Sequence, residues 1–333
     1  MSIKARERIL DVLIILGVIG LLVVVGYPMY KESLPSEVRF GVDKTFLTLP
    51  FYIAKLETTR NYFGIEKVKP IFVEINENPL DGIKEGKYDV AVVPWYYLLL
   101  NPSTDGDTVK VLAAVEIKSG QPIDGIIIPP KSKIRGLRGL RKKRLGYLVQ
   151  DEYFVNLVIE DVKKDFKLTR LQYVPLEPEE LATVFQDNKV DALYLLEPYR
   201  GYMLYLGNQL LIEGLISQYL MVGNFPYGAV VMRKDFVEKE NRLASIRAKN
   251  AIDASISFLI KNPNLAKTYV AQINGWEVSN ALLMKIRLPE YQRMAEIGIK
   301  SVEKLQTVMV QRGLGACSIK PTEFIFERAD FVR

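Results

Sequence analysis

Polar and aromatic side chains follow several β-rich runs of this 333-residue sequence, at points where a short loop leads into a helix. Ligands of open α/β sheets bind beyond the carboxyl ends of the strands, so chemistry is expected in these loops. The candidates whose side chains suit binding of a polar or planar ligand are Thr45, Phe46, Thr48, Trp95, Ser119, Gln121, Gln150, Asp151, Tyr153, Glu197, Tyr199, Asn224 and Tyr227.

Each type of candidate has a binding interpretation and a structural one. Thr45 and Thr48 precede a predicted helix, where a hydroxyl beside exposed amides would bind an anionic group or simply cap the helix. Trp95 follows a buried strand, where it would wall a cleft or belong to the core. The tyrosines combine a flat apolar ring with a polar tip, which suits a planar ligand, although a single tyrosine is more often structural.

The acidic candidates allow two kinds of chemistry. Asp43, Asp151 and Glu197 suggest paired-carboxylate hydrolysis, but no spacing in the sequence fixes two of them at a catalytic distance. Glu197 precedes Pro198 and would cap a helix or accept a ligand amine. Binding is therefore favoured over catalysis.

The composition excludes the commonest catalytic and metal chemistry. The sequence has no histidine, which removes Ser-His-Asp and Cys-His catalysis and histidine-ligated zinc. Its single cysteine, Cys317, cannot form an internal disulfide or a thiolate cluster. No glycine-rich phosphate loop is present, because Gly136 and Gly139 lack the strand-to-helix context and the following Lys-Ser/Thr. No cofactor, no metal and no enzymatic activity are expected.

The net charge of +6 comes from one segment, between Lys131 and Arg144, which holds many basic residues and no acidic one. This basic segment is either a solvated surface or a contact for anionic lipid head groups or a partner protein. Nucleic-acid binding is not predicted, because no recognised binding module accompanies the segment.

The N-terminus predicts a membrane anchor. Lys4, Arg6 and Arg8 precede the uncharged stretch from Val12 to Tyr30, which would span roughly 28 Å as a helix, close to a bilayer core of about 30 Å. The residues that follow form a poor cleavage site, so an uncleaved signal-anchor is favoured over a removed signal peptide. Basic residues before the span place the N-terminus in the cytoplasm and the bulk of the chain outside, periplasmic or extracellular.

After a short linker, β-rich runs alternate with amphipathic stretches, which predicts an α/β architecture with mostly parallel strands. The predicted strands are 38–42, 69–75, 89–93, 109–117, 125–129, 144–148, 171–174, 191–196 and 229–232. The predicted helices are 50–62, 79–85, 153–166, 178–186 and 243–260, and everything after Asp235 is expected to be helical.

Interruptions near residues 120 and 225 predict two lobes joined by a two-strand hinge. The predicted divisions are an anchor (1–30), a linker (31–37), lobe 1 (38–120 plus 225–333) and lobe 2 (121–224).

Four stretches in this order resemble the solute-binding proteins of ABC importers, specifically the nitrate/sulfonate/taurine and thiamine-pyrimidine-precursor group. They are Phe40–Ala54, Glu85–Ala91, Ile134–Leu148 and Val190–Tyr199, the last similar to the group's V-D-A-x-x-x-x-E-P pattern. The resemblance implies a two-lobed type II periplasmic-binding-protein fold, with a helical C-terminal part and the N-terminal transmembrane helix added. The sequence departs from the group at Arg138-Gly139, where an acidic residue is usual. The group's pyrimidine synthases use histidine, which this chain lacks.

The resemblance implies a membrane-anchored receptor that closes two lobes on a small solute and delivers it to an ABC permease. An aromatic-rich cleft favours a planar heteroaromatic solute, with a sulfonate-like anion as the second choice. The alternatives are a dehydratase-like enzyme that uses a carboxylate of the cleft, and a signalling or assembly protein that keeps the fold.

Overall fold

The computed structural model describes residues 13–57, 60–75, 78–100, 109–315 and 319–331. Three features of the sequence analysis lie outside these ranges. They are the basic residues Lys4, Arg6 and Arg8, the first residue of the apolar stretch (Val12), and Cys317. Two β-sheets organise the rest. Their strands are β1 (Ser36–Val42), β2 (Val68–Glu74), β3 (Val90–Pro94), β4 (Val109–Ile117), β5 (Asp124–Ile128), β6 (Arg144–Leu148), β7 (Gln172–Leu176), β8 (Ala192–Leu196), β9 (Gln209–Glu213), β10 (Phe225–Arg233) and β11 (Glu290–Arg293).

The first sheet has six strands in the order β11-β4-β10-β3-β1-β2. β1 is parallel to β2 and β3, whereas β10 is antiparallel to both β3 and β4. Nearly all residues of β3 and β10 are apolar and buried, as expected of central strands covered on both faces.

The second sheet has five strands in the order β7-β6-β8-β5-β9. β6 is parallel to β7 and β8, and β5 is antiparallel to β8 and β9. The chain passes from the first sheet to the second between β4 and β5 and returns between β9 and β10. All strands of the second sheet therefore come from one continuous stretch, and the first sheet is built from two.

Helices cover the sheets and connect the parallel strands. The α-helices are α1 (Tyr27–Ser33), α2 (Leu49–Lys55), α3 (Tyr62–Ile65), α4 (Pro79–Lys84), α5 (Trp95–Leu100), α6 (Glu152–Phe154), α7 (Glu160–Asp165), α8 (Tyr199–Tyr205), α9 (Arg242–Lys261), α10 (Pro263–Ile273), α11 (Asn280–Lys285) and α12 (Ile299–Gln311). Proline opens α2, α4 and α10, where its missing N–H costs nothing.

The structure corrects four sequence predictions. The strands are not mostly parallel, because β10 and β5 each pair antiparallel with both of their neighbours, and β11 is antiparallel to β4. The C-terminal part is not wholly helical, because β11 completes the first sheet by pairing with β4. Residues 178–186 form a short 3-10 turn, Pro178–Glu180, followed by turns instead of a helix. The predicted helix 50–62 ends at Lys55, and a separate short helix begins at Tyr62.

The N-terminal described residues are helical and largely exposed. Residues 13–21 continue through a π-helical segment, Leu22–Gly26, into α1. Leu13, Leu21 and Val24 expose more than half of their surface. None of the helices in the described ranges meets the length and apolarity that a bilayer crossing requires, so the predicted transmembrane helix is not seen.

Arg247 of α9 joins the end of α1 to the first sheet. Its guanidinium donates to the carbonyl of Leu34 and to the hydroxyl of Ser36, both at 2.9 Å, and to the carbonyl of Glu32. The side chain is buried. Cationic groups at a helix C-terminus satisfy carbonyls that lack intrahelical partners, so Arg247 fixes where the N-terminal helix leaves the domain.

Candidate functional site

A cleft of about 620 Å³ lies where loops from both sheets meet. The first sheet contributes the loop after β1, the segment after β3, and β10; the second contributes the loops after β6 and β7. The residues that line the cleft are Asp43, Thr45, Leu47, Ile75, Asn78, Pro79, Val92, Pro94, Tyr96, Tyr97, Leu148, Val149, Gln150, Asp151, Phe154, Glu177, Pro178 and Tyr227. The cleft therefore lies beyond the carboxyl ends of parallel strands, as the α/β rule requires.

Asp43 is held in place by the two threonines that follow it. Its Oδ1 accepts from the backbone N–H of Thr45 at 2.8 Å and from the Thr45 hydroxyl at 2.6 Å. The hydroxyl of Thr48 lies 2.9 Å from the same oxygen and 2.7 Å from the Asp43 carbonyl. Thr48 occupies the N-cap position of α2 but makes no capping bond, so both threonines serve the Asp43 turn.

Asp151 lies on the opposite wall, in the 3-10 turn that follows β6. Its side chain is buried, and Oδ2 has no hydrogen-bond partner within the described residues. Burial, followed by repulsion from the Asp43 charge, raises the pKa of Asp151 to about 7. Burial also raises the pKa of Asp43, against the three donors from the threonines. Two carboxyl groups thus face one cleft, and the charge of Asp43 makes Asp151 harder to ionise.

Aromatic rings form the inner part of the cleft. Tyr96 stacks on Tyr153 with ring centroids 3.5 Å apart, and the edge of Phe154 packs against Tyr96 at 5.6 Å. Phe154 also lies 5.9 Å from Tyr227 of β10. Burial, followed by the Asp151 charge, raises the pKa of Tyr227, so its phenol stays neutral at physiological pH.

Four of the candidates from the sequence line this cleft: Thr45, Gln150, Asp151 and Tyr227. Two more touch its wall without lining it, because Thr48 bonds Asp43 and Tyr153 stacks behind Tyr96. What these residues do toward a ligand remains a prediction.

Trp95 and Phe46 are fully buried in the core and do not line the cleft. The Nε1 of Trp95 has no hydrogen-bond partner among the described residues, and the carbonyl of Phe46 accepts from the hydroxyl of Tyr291 at 2.9 Å. A helix begins directly at Trp95, and this turns its side chain toward the core while Tyr96 and Tyr97 line the cleft.

Ser119, Gln121 and Asn224 lie where the chain passes between the sheets. The amide of Ser119 donates to Asn224 Oδ1 at 3.0 Å, which joins the two crossing segments. Asn224 Nδ2 in turn donates to Glu116 Oε2 at 3.1 Å. These contacts connect the crossings and lie outside the cleft lining.

Glu197 and Tyr199 belong to a separate contact, which joins the second half of the molecule to Trp276 and Arg287 of the C-terminal part. Glu197 Oε1 accepts from Arg200 at 3.0 Å, and Glu213 bridges Arg200 and Arg287 at 2.9 and 3.0 Å. Burial raises the pKa of Glu197 to about 7, although the Arg200 charge opposes this. The ring of Tyr199 packs edge-on against Trp276 at 5.7 Å.

The sequence interpretation missed Asn78, Tyr97, Phe154, Glu177 and Pro178 as lining residues. Tyr97 lies two positions after the candidate Trp95, and Phe154 lies one position after the candidate Tyr153, so knowledge of which helix face lines the cleft would have identified both. Asn78 and Glu177 follow β2 and β7, and the same strand-end rule predicts them once those ends are fixed. Within the described ranges, no group of three or more Cys, Asp or Glu side chains is placed to bind a metal ion.

Several solved structures share this architecture. The alkanesulfonate-binding protein SsuA from Xanthomonas axonopodis pv. citri, bound to MOPS, aligns at TM-score 0.62 and 16% identity, over 88% of this chain and 99% of SsuA. The periplasmic nitrate-binding protein NrtA from Synechocystis PCC 6803 aligns at 0.58 and 13%, over 86% and 84% of the two chains. The desulfurization enzyme DSZB aligns at 0.59 and 10%, over 89% and 97%.

Neither a protein-family model nor a curated protein matches the chain. At these identities the structural likeness establishes the fold alone. The chain has the type II periplasmic-binding-protein fold of ABC-type solute-binding proteins.

Proposed function

We propose that this protein is an extracytoplasmic solute-binding protein of an ABC importer, which holds a small organic solute in the cleft between its two sheets. The observation that carries the proposal is the cleft of about 620 Å³, to which both sheets contribute polar and aromatic side chains. A volume of this size suits a small metabolite, and a site built from two halves suits closure around one.

The two lobes of the proposal are 38–120 plus 225–333, which contain the first sheet, and 121–224, which contain the second. The Tyr96–Tyr153 stack and the 3.5 Å ion pair between Lys44 and Glu179 bridge them beside the cleft. A solute that contacts both lobes would favour the closed arrangement, which the ABC permease would recognise.

The N-terminal helix would anchor this receptor to the membrane as a signal-anchor. The proposal is supported by the uncharged stretch Val12–Tyr30, by the exposed apolar side chains of its described part, and by the Arg247 contacts that hold its end. The bulk of the chain would then work outside the cytoplasm, near the permease.

The experiment is a thermal-shift screen of the detergent-solubilised full chain against a small-metabolite library. Tyr227→Phe and Gln150→Ala should weaken any hit, because both side chains line the cleft. Gln121→Ala is the matched control, since Gln121 is exposed and lies outside the lining. A receptor role would be refuted if no compound of the library raised the melting temperature. It would also be refuted if the compounds that do so bound the Tyr227→Phe and Gln150→Ala variants as tightly as the wild type.

A second candidate, an enzyme on the same scaffold, is favoured by one observation. Asp151 has a pKa of about 7 and faces Asp43 across a cleft, which suits a carboxyl group that transfers a proton near neutral pH. DSZB shows that the fold also occurs in an enzyme. If the chain is such an enzyme, Asp151→Asn abolishes turnover of a bound solute; if it is a receptor, the solute is recovered unchanged from the wild-type protein.

A further inference from the structure

The lining of the cleft carries charge of only one sign. Asp43, Asp151 and Glu177 contribute carboxyl groups, and no lysine or arginine is among the described lining residues. The sequence contains no histidine that could supply a positive charge. A sulfonate, nitrate or carboxylate solute would enter this cleft against the charge of its walls.

Asp151 lacks the partner that a buried carboxylate requires. Its side chain is 4% exposed, it lines the cleft, and Oδ2 accepts no hydrogen bond from any described residue. The other fully buried carboxyls of the described residues have partners: Glu197 pairs with Arg200, Asp89 pairs with Arg39 at 2.7 Å, and Glu116 and Asp124 accept hydrogen bonds from neutral donors. An ionised carboxylate without a partner is costly to bury, so the empty cleft favours the protonated form of Asp151. A cation that enters the cleft would give the ionised carboxylate the partner that it lacks.

Asp43 adds a second acceptor in a fixed position. Three donors converge on its Oδ1 from Thr45 and Thr48, which locks the carboxyl group at the cleft wall. These donors stabilise the charged form of Asp43 and oppose the rise in its pKa that burial causes. Repulsion between Asp43 and Asp151 is relieved when a positive charge enters between them.

The aromatic walls suit the same kind of ligand. The rings of Tyr96, Phe154 and Tyr227 line the cleft, and their faces attract cations as well as apolar groups. Aromatic rings around one or two carboxylates form a site for an organic ammonium group and its hydrocarbon part.

We propose that the solute is a small organic cation, whose protonated amine bonds Asp151 and Asp43 while its apolar part packs against Tyr96, Phe154 and Tyr227. The inference rests on the proposed function, since it names the chemical class of the solute for the same cleft. It replaces the sulfonate-like anion with a ligand of the opposite charge.

The proposal includes a direction for the effect of pH. Below pH 7 the carboxyl group of Asp151 is protonated in the empty cleft and must lose that proton before an ammonium group can pair with it. An alkylamine keeps its own proton throughout the range from pH 5 to 8. Affinity is therefore expected to fall about tenfold for each pH unit below 7, and binding near pH 6.5 releases a proton.

The other ionisable groups around Asp151 do not reverse this expectation. Burial raises the pKa of each tyrosine that the Asp151 charge reaches, so these phenols stay neutral between pH 5 and 8. They are Tyr96, Tyr194, Tyr199 and Tyr227. The remaining groups, Asp43 and Glu177, are also carboxyls. Burial raises the pKa of Asp43, so its protonation at low pH weakens cation binding in the same direction as that of Asp151.

The test uses the detergent-solubilised full chain and matched triads of probes. Each triad joins a benzyl, phenethyl or pyridylmethyl framework to an amine, an alcohol or a sulfonate, and calorimetry measures binding at pH 8. Binding of amines in preference to their alcohols and sulfonates supports the proposal. Preferential binding of sulfonates or alcohols overturns the cationic solute but leaves a receptor standing. If no probe of any triad binds, the proposed function as a receptor for small solutes is itself refuted.

Variants then test whether the carboxylate of Asp151 is the group that binds the amine. Asp151→Asn should weaken amine binding at pH 8 by about tenfold or more, because a charged hydrogen bond is lost. Asp124→Asn is the matched control, since Asp124 is a buried carboxyl of the second sheet that does not line the cleft. An unchanged amine affinity in Asp151→Asn would refute the assignment. Proton release by the unmodified chain, measured in buffers of different ionisation enthalpy, tests the same pairing without a variant, and its absence would also count against it.

Discussion

The ring of Tyr96 lies flat against the ring of Tyr153, with their planes 3° apart, although one follows β3 of the first sheet and the other follows β6 of the second. The contact therefore joins the two halves of the molecule beside the cleft. Stacked rings at this distance contribute about 1 kcal/mol beyond the area they bury. The stack is a place where closure of the halves can be weakened without removing a lining residue.

Replacing Tyr153 by alanine is expected to shift the solute-free chain toward an open arrangement by about fivefold in population. Small-angle scattering would record this as a larger radius of gyration. Tyr153→Phe keeps the ring and removes a buried hydroxyl that has no hydrogen-bond partner among the described residues, so it should stay as compact as the wild type. Identical scattering from the alanine and phenylalanine variants would show that the stack does not hold the halves together.

Asp151→Asn is expected to stabilise the solute-free protein at pH 8 but not at pH 4. The pKa of Asp151 is about 7 in the folded chain against 3.8 for a free group, so the folded state binds more protons between these values. The contribution of Asp151 to stability is thus lost as pH rises from about 4 to 7, by at most about 4 kcal/mol. The variant carries no such penalty.

Melting temperatures of both proteins across this pH range would check the prediction. Asp187→Asn, which alters an exposed carboxylate, serves as the control and should change stability little at either pH. If Asp151→Asn melts below the wild type at pH 8, Asp151 is paired in the folded protein.

Arg200→Met is expected to destabilise the fold by about 3–5 kcal/mol, because it leaves Glu197 without its charged partner in the interior. Urea unfolding would measure the loss. The exposed pair Lys189–Glu180 offers a contrast, since Lys189→Met should cost less than about 1 kcal/mol. Equal effects of the two substitutions would mean that the Arg200 network contributes no more than a surface pair.

Arg247→Met is expected to release the end of the N-terminal helix from the domain, because the carbonyls of Glu32 and Leu34 lose their donor. Limited proteolysis should then cut the junction between α1 and β1 several-fold faster, while the core resists as before. Lys261→Met, an exposed change on the same helix α9, is the control. Unaltered cleavage in Arg247→Met would show that other contacts hold this junction.

The bounds of the parallel strands could be predicted from the sequence to within one or two residues. Short apolar runs such as Arg144–Leu148 lie between clear turn signals, which mark where each strand begins and ends. The strand Glu290–Arg293 could not be predicted, since its residues are mostly polar. They form a strand because they pair with the edge of β4 that faces away from β10. Strand pairing of this kind depends on a partner far along the chain, which local patterns do not contain.

Some residues of the site could likewise be predicted from the sequence, and others could not. Asp151 could be proposed from the carboxyl end of β6, and Tyr227 from the return crossing at the start of β10, because both places meet at one cleft. Trp95 could not be distinguished from Tyr96, because the phase of the helix decides which ring turns inward. Glu197 follows a strand as Asp151 does, but Arg200 three residues later draws its carboxylate into an ion pair. Side-chain partners of this kind are fixed by packing, which the spacing of residues does not reveal.

Strand β10 has a consequence for how this chain is made. It fills the gap between β3 and β4, yet it is synthesised only after all the strands of the second sheet. Until residue 233 leaves the ribosome, the edges of β3 and β4 that face this gap stay open to wrong pairing, while the second sheet can already form. The half that receives β10 is therefore the last to mature, and a chaperone that shields those two edges would matter most during that interval.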